Sequence, residues 1–214
     1  MESKYTKEMI EEIMNWILPG LTMYYRDTEL EVEIVDKYRQ GMVFRSQTFV
    51  DVSGFAGKPT KNCRFIFASS KAAPIYELNP LTEKWRLHVI NANSYFKILD
   101  IYKKENKTQF FLLHIPAKAV DLFSNNIEIV IKDSDIEQQI IEKARNSFNE
   151  KMLMSEIEVF EEFEWLDRTS FPIGLDNNND FFSLYPNFDL PPEAILLSNA
   201  IKKMTNDTEL NDPF

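Results

Sequence analysis

MVFRS (42–46), CRFIFASSKAAPIYE (63–77), WRLHVINA (85–92) and TQFFLLHIPAKAV (108–120) are the four runs that decide how this chain is read. Their apolar residues come in strand-length groups, so the middle of the chain is predicted to be a β-rich core. Its charge reverses that of its surroundings. Residues 1–36 carry net −6, residues 37–118 net +9 and residues 119–214 net −13, which together give the chain its −10. Polar residues also interrupt the apolar runs. Arg45 sits on the first strand, and the pair Ser69-Ser70 closes a later one. Such residues suit a ligand cleft. A strand arginine in a surface ion pair and a serine pair capping a helix are the structural alternatives.

Working outward, residues 6–18 place Met9, Ile10, Ile13, Trp16 and Ile17 at helical spacing, with Thr6 as N-cap and Pro19-Gly20 as stop. Residues 30–34 alternate and are predicted to be a strand. Residues 53–62 form a loop by composition. Residues 71–76 are predicted to be a short helix and residues 85–92 the clearest strand. Residues 95–102 fit helix or strand, and the turn-like Glu105-Asn106-Lys107 favours a hairpin with residues 109–115. A short helix or turn at 117–123 and a strand at 127–131 follow. Residues 134–168 are helical, with capping boxes at Ser134-x-x-Glu137 and Ser155-x-x-Glu158 and a break near 149–154. Residues 173–187 form an irregular covering segment, and Pro191-Pro192 opens a last helix over 193–204.

Strands in the middle and helices at both ends make the class α+β: a mixed or antiparallel β core flanked by N- and C-terminal helices. One domain over 1–205 is expected, comprising 1–36, a β-rich core at 37–132 and a helical part at 133–205. A frayed tail follows at 206–214.

Composition removes several functions. The single cysteine, Cys63, cannot form an intrachain disulfide or a thiolate cluster, and two histidines make a His-rich metal site unexpected. Overall acidity argues against nucleic-acid binding. No run is long enough to span a bilayer, and MESKYTKEM is no signal peptide, so a soluble cytoplasmic protein is expected, with signal-less export as an effector left open. Gly54-x-x-Gly57-Lys58 is only a fragment of a phosphate loop, because Pro59 stands where Ser or Thr is needed. Residues 176–180 lack the spacing, central Gly and terminal Glu of a calcium loop. The acid-rich run 156–167, with Phe160, Phe163 and Trp165 interleaved, reads as a solvated face or as a surface for a basic protein partner. The basic middle suits an anionic ligand such as a dinucleotide, or simply attracts the acidic helices.

Taken in order, the four runs resemble the bacterial mono-ADP-ribosyltransferases of the cholera and pertussis toxin type. Val43-Phe44-Arg45-Ser46 is similar to that family's aromatic-Arg strand, and Phe67-Ala68-Ser69-Ser70-Lys71-Ala72-Ala73 to its aromatic-x-Ser-Thr-Ser strand. Leu87 to Asn93 is comparable to the strand and small-polar loop that follow. Thr108-Gln109-Phe110 through Ile115-Pro116 resembles the run bearing the catalytic Glu. The resemblance implies a split β-sandwich around a cleft that takes NAD as substrate. Arg45 would anchor NAD, and Ser69 and Ser70 would shape the nicotinamide pocket. The family's Glu is not matched: the ungapped position is Thr108, and Glu105 or Gln109 would have to stand at the reacting ribose.

Two functions follow. One is an NAD-dependent mono-ADP-ribosyltransferase or NAD glycohydrolase, impaired by the missing carboxylate, acting on a protein or small molecule. The other is a non-catalytic immunity- or adaptor-type module that binds a basic partner through its acidic helical face. On the first, Arg45, Ser69 and Gln109 converge within roughly 10 Å, given the ~4.8 Å spacing of strands.

Overall fold

The computed structural model describes residues 5–124, 134–185 and 190–207. Helix α1 (Lys7–Ile17) begins at Thr6, whose hydroxyl accepts from the amide of Met9. It buries Ile13, Trp16 and Ile17, as its spacing requires. Strand β1 (Thr22–Thr28) follows. The expected strand at 30–34 is instead the short helix α2 (Val32–Val35), with Leu30 buried and Val32 68% exposed. The strand lies earlier, where the β-favouring run Thr-Met-Tyr-Tyr pairs along its whole length with a neighbour.

Strands β2 (Val43–Ser46), β3 (Val50–Ser53), β4 (Cys63–Ser69) and β5 (Ala72–Ala73) come next. The helix expected over 71–76 is replaced by β5 and a 3-10 turn, since β5 finds a sheet partner. Strand β6 (Leu87–Ile90) starts two residues later than expected, because Trp85 ends a 3-10 helix and Arg86 takes a left-handed conformation. Strands β7 (Ser94–Lys104) and β8 (Lys107–Ile115) form the hairpin, which settles residues 95–102 as strand. Short helix α3 (Val120–Ser124) matches expectation, and the strand proposed at 127–131 lies outside the described residues.

The eight strands hydrogen-bond in the order β2-β7-β8-β4-β1-β3-β6-β5, antiparallel except for the parallel pair β4 and β8. Helices α4 (Ser134–Lys151), α5 (Phe163–Thr169) and α6 (Pro192–Met204) complete the chain. The break near 149–154 is present. The 3-10 turn after it has Ile157 as cap, with no side-chain bond, so Ser155 does not act as the expected cap. Thus the chain is α+β, with a mostly antiparallel mixed sheet and flanking helices.

The two faces of the sheet are covered differently. Phe44, Phe65, Phe67, Phe96, Phe110 and Leu112 form one buried layer with Ile173 and Leu175, which belong to an irregular strap at 169–185. On the other face, Ile66, Ala68 and Phe111 pack on Ile141 and Ala144 of α4, while Val43, Tyr95 and Ile115 pack on α1. Trp16 donates to the carboxylate of Asp207 at 2.8 Å, and Asp207 is 4% exposed. Asp207, expected within the frayed tail at 206–214, is thus pinned to α1, and residues 208–214 of that tail lie outside the described residues.

Candidate active site

The strap decides where the polar residues go. It has almost no regular structure, so its carbonyls need donors from elsewhere. Thr28 donates to the carbonyl of Thr169 at 3.0 Å, Arg26 to that of Phe171 at 2.9 Å and Tyr38 to that of Ile173 at 2.7 Å. The strap then rounds the edge strand β2: Phe181 packs on the phenylalanine layer and Leu184 on the α1 side. Arg45 holds it at that edge. Its Nε donates to the carbonyl of Ser183 at 2.6 Å, its NH1 donates to the side-chain oxygen of Asn93, and the residue is 1% exposed. Burial lowers its pKa, while the nearby Tyr95 acts to raise it. Gly174 makes the close approach possible. It has φ +82, and a Cβ there would lie 2.4 Å from the ring of Phe44.

The expected convergence of Arg45, Ser69 and Gln109 does not occur. Arg45 alternates with Phe44, which belongs to the phenylalanine layer, so it faces the α1 side. Ser69 shares its face with Phe65 and Phe67 and is separated from β2 by two strands, roughly 14 Å across the sheet. The Ser69 hydroxyl lies 2.8 Å from His114 Nδ1, accepts from the amide of Lys71 and is fully buried. His114 stacks edge-on to Trp16, and burial pushes its pKa down to about 3, helped by Lys71. Ser70 faces the other way and donates to the carbonyl of Trp16 at 2.9 Å. Both serines thus tie the end of β4 to its surroundings, and no cap is needed because no helix follows.

Gln109 pairs with Arg64 on β4 and Tyr102 on β7, roughly 17 Å along β8 from the row of Ser69. It is 0% exposed, and neither amide atom has a hydrogen-bond partner among the described residues. Glu105 is exposed in the turn of the β7–β8 hairpin at φ +53. The register stays regular from Tyr102–Gln109 to Lys104–Lys107, and the one irregularity lies at Ile98–Asp100, so no bulge carries Glu105 inward.

A cleft of about 520 Å³ opens instead between the β2–β3 connection and the strap. Ser46, Gln47, Thr48 and Phe49 line one side, residues 171–177 and Phe182 the other, with Arg26 and Arg168 between them. Arg26 is 5% exposed and touches no carboxylate among the described residues. Its NH1 reaches only the main-chain oxygen of Asp51 at 3.3 Å, and its Nε is buried without a partner. Burial lowers its pKa to about 10, against the charge of Asp51. Arg168 on α5 donates to the Asp51 carboxylate at 2.9 Å and lies 3.7 Å from Glu164. Asp176, also at the cleft, accepts from the amides of Asn178 and Asp180, and these bonds hold its pKa below the ordinary value. Tyr25-Arg26 repeats the aromatic-Arg pair of Phe44-Arg45 on a central strand. The sequence hides this pair because residues 22–28 lack the strict alternation of a half-buried strand.

The acid-rich run 156–167 is largely engaged with the basic loop beside it. Glu156 pairs with Lys58 at 3.8 Å and Glu161 with Lys61 at 3.0 Å, and Glu162 pairs with Lys84. Basic core and acidic helices do attract one another across their packing, which leaves less charge for a basic partner. Among the described residues no helix is long and apolar enough to cross a membrane.

No protein-family model and no curated protein matches the chain. Solved structures do show likeness. Vis toxin, an ADP-ribosyltransferase from Vibrio splendidus, is 19% identical over 53% of this chain and 57% of its own, with TM-score 0.38. The ADP-ribosyltransferase HopU1 of Pseudomonas syringae pv. tomato is 16% identical over 44% and 46%, with TM-score 0.39. The type III effector XopAI from Xanthomonas axonopodis pv. citri is 11% identical over 46% and 47%, with TM-score 0.39. The chain spans about half the length of each. Likeness of this extent leaves the activity to be read from the residues of the chain itself.

Proposed function

We propose that the cleft between β1, the β2–β3 connection and the strap binds NAD or a closely related dinucleotide. On this reading the chain is an ADP-ribosyltransferase-like protein in which nicotinamide release is weak. One observation carries it: Arg26, a nearly buried guanidinium that touches no carboxylate among the described residues and keeps an unpartnered Nε, lines an open cleft. A buried guanidinium with an unpartnered N–H is costly, and a phosphate beside it offsets that cost through charge-assisted hydrogen bonds, beyond what the charge of the nearby Asp51 supplies. Arg168 adds a second cation, and Phe49, Phe171 and Phe182 offer apolar walls for aromatic rings.

Transfer needs a carboxylate beside the reacting ribose, to stabilise positive charge as nicotinamide leaves. Glu105 is exposed in its turn, and Gln109 is neutral and on the opposite face. Asp176 is the carboxylate that lines the cleft. Its bonds to two main-chain amides favour the ionised form, which suits that role toward a protein or small-molecule acceptor.

Calorimetry with NAD tests the binding. Arg168 is only partly buried, so Arg168→Ala should fold and should weaken binding about tenfold, the value of one charge-assisted contact. Nicotinamide release should be slow in the wild type and slower still in Asp176→Asn. Absence of NAD binding by the wild type would remove this reading.

A further inference from the structure

Helix α6 lies beside the short edge strand β5, at the end of the sheet away from β2. Among the described residues it is held from one side. Ser198 and Ile201 are buried, and Ile201 belongs to the cluster of Ala73 and Trp85. Asn91 Nδ2 donates to the carbonyl of Ser198 at 3.4 Å, and Lys71 Nζ to that of Thr205 at 3.3 Å. The helix is therefore fixed in place before any partner arrives. Its other sides are apolar yet open: Ile195 is 41%, Leu196 73% and Leu197 44% exposed. A run of large aliphatic residues on the outward side of a fixed helix marks a surface that a partner covers.

The residues around Leu196 define that partner. At about 100° per residue, Glu193, Leu196, Ala200 and Lys203 fall within about 80° of one another, on the side opposite Ser198. All four are exposed. Neither Glu193 nor Lys203 has an ion-pair partner among the described residues. They stand roughly 15 Å apart along the helix axis and so cannot pair with each other. The helix dipole accounts for an acid in the first turn and a base in the last, but not for an open leucine between them. The stripe is symmetric. Glu193 lies as far before Ser198 as Lys203 lies after it, and Leu196 as far before as Ala200 after. Two such helices laid antiparallel about a two-fold axis at the level of Ser198 pair Glu193 with Lys203 at both ends. The same arrangement seats each Leu196 against Ala200 of the second copy, large against small.

We propose that this face of α6 is the contact between two copies of the chain, an antiparallel helix pair related by a two-fold axis. The apolar residues supply the attraction, and the two charge pairs fix direction and register. One helix pair covers less than the ~1,200 Å² of a standard interface, so the dimer is a weak one, dissociating at about 10–100 μM. No residue of α6 lines the NAD cleft, so the pairing stands independently of the NAD reading.

The test is sedimentation velocity at low ionic strength over ~5 to ~500 μM protein, with circular dichroism to check that each variant is folded. The wild type should pass from monomer to dimer across this range. Leu196→Glu, at an open position, should weaken association at least about tenfold, since both copies lose the leucine. Glu193→Lys and Lys203→Glu should each weaken it about tenfold, because each turns both attractions into repulsions. Mixed together, these two single variants should associate as strongly as the wild type, since the mixed pair has opposite charges at both ends again. A contact elsewhere on the chain gives no such recovery. A wild type that stays monomeric at ~500 μM, a dimer indifferent to Leu196→Glu, or a mixture no tighter than its components would overturn the proposal.

Discussion

The sheet has two faces, and they are closed by opposite means. Under α1 and α4 the cover consists of helices, which bond their own main chains and bring apolar stripes. Two guanidinium groups under α4 are matched by carboxylates, Arg64 by Asp27 and Arg145 by Asp100, the latter at 2.7 Å. Under residues 169–185 the cover is irregular chain, which has carbonyls to offer and few donors. Arg26, Tyr38 and Thr28 turn to those carbonyls instead of to carboxylates, and Arg45 does the same from the α1 side, where the strap rounds the edge of β2. A carbonyl satisfies a guanidinium's geometry but leaves its charge in place. On the proposed reading, Arg26 is the cation on this face that an anionic ligand would meet, and the cleft opens beside it.

The sharpest way to break this comparison is to remove a matched charge from the helix face. Arg64→Leu leaves Asp27 buried without its counter-charge and with only Thr60 as donor, and should destabilise the chain by about 3–5 kcal/mol in urea unfolding. A cost near zero would mean that the pair is not closed to water. The next effect is one of pH. His114 is held neutral, with a pKa of about 3 in the folded chain against about 6.5 unfolded, so the unfolded chain binds the extra proton. Its stabilising contribution is complete above about pH 6.5 and is lost as pH falls toward 3. In His114→Phe the loss of stability between pH 6 and 4 should be shallower by up to about 1.4 kcal/mol per pH unit. An unchanged slope would mean that the ring is not sealed against Ser69 and Trp16.

On the strap face, Gly174→Ala forces a methyl into the ring of Phe44 at an unfavourable φ and should cost about 2–3 kcal/mol. Arg45→Met should cost about 2 kcal/mol and speed amide exchange in residues 181–184 more than in α4. Equal acceleration of both would contradict a role confined to the strap. Glu105→Ala should change stability by less than about 0.5 kcal/mol and leave NAD binding unchanged.

Residue spacing revealed α1, a continuous apolar run revealed β4, the turn-like Glu105-Asn106-Lys107 revealed the β7–β8 hairpin, and Pro191-Pro192 revealed the start of α6. Spacing failed at β1 and α2, where partner strands outweighed local alternation: Tyr24 and Tyr25 both have packing partners, on opposite faces. The candidate site was less legible still. Phe44-Arg45 and Tyr25-Arg26 are the same local pattern, and only the position of each strand makes one an anchor at the sheet edge and the other part of a cleft wall. Ser69-Ser70 splits between two faces, as adjacent strand residues must. The strap was visible as an aromatic, Asn-rich covering segment, but which carbonyl meets which donor is a tertiary fact.

The direct measurement is a map of amide chemical-shift changes as NAD is added to the isotope-labelled chain. The account predicts changes concentrated in residues 46–50 and 171–177, with those of residues 107–110 and 148–151 unmoved. Changes centred on the second group, or around Ser69 and Ser70, would contradict it.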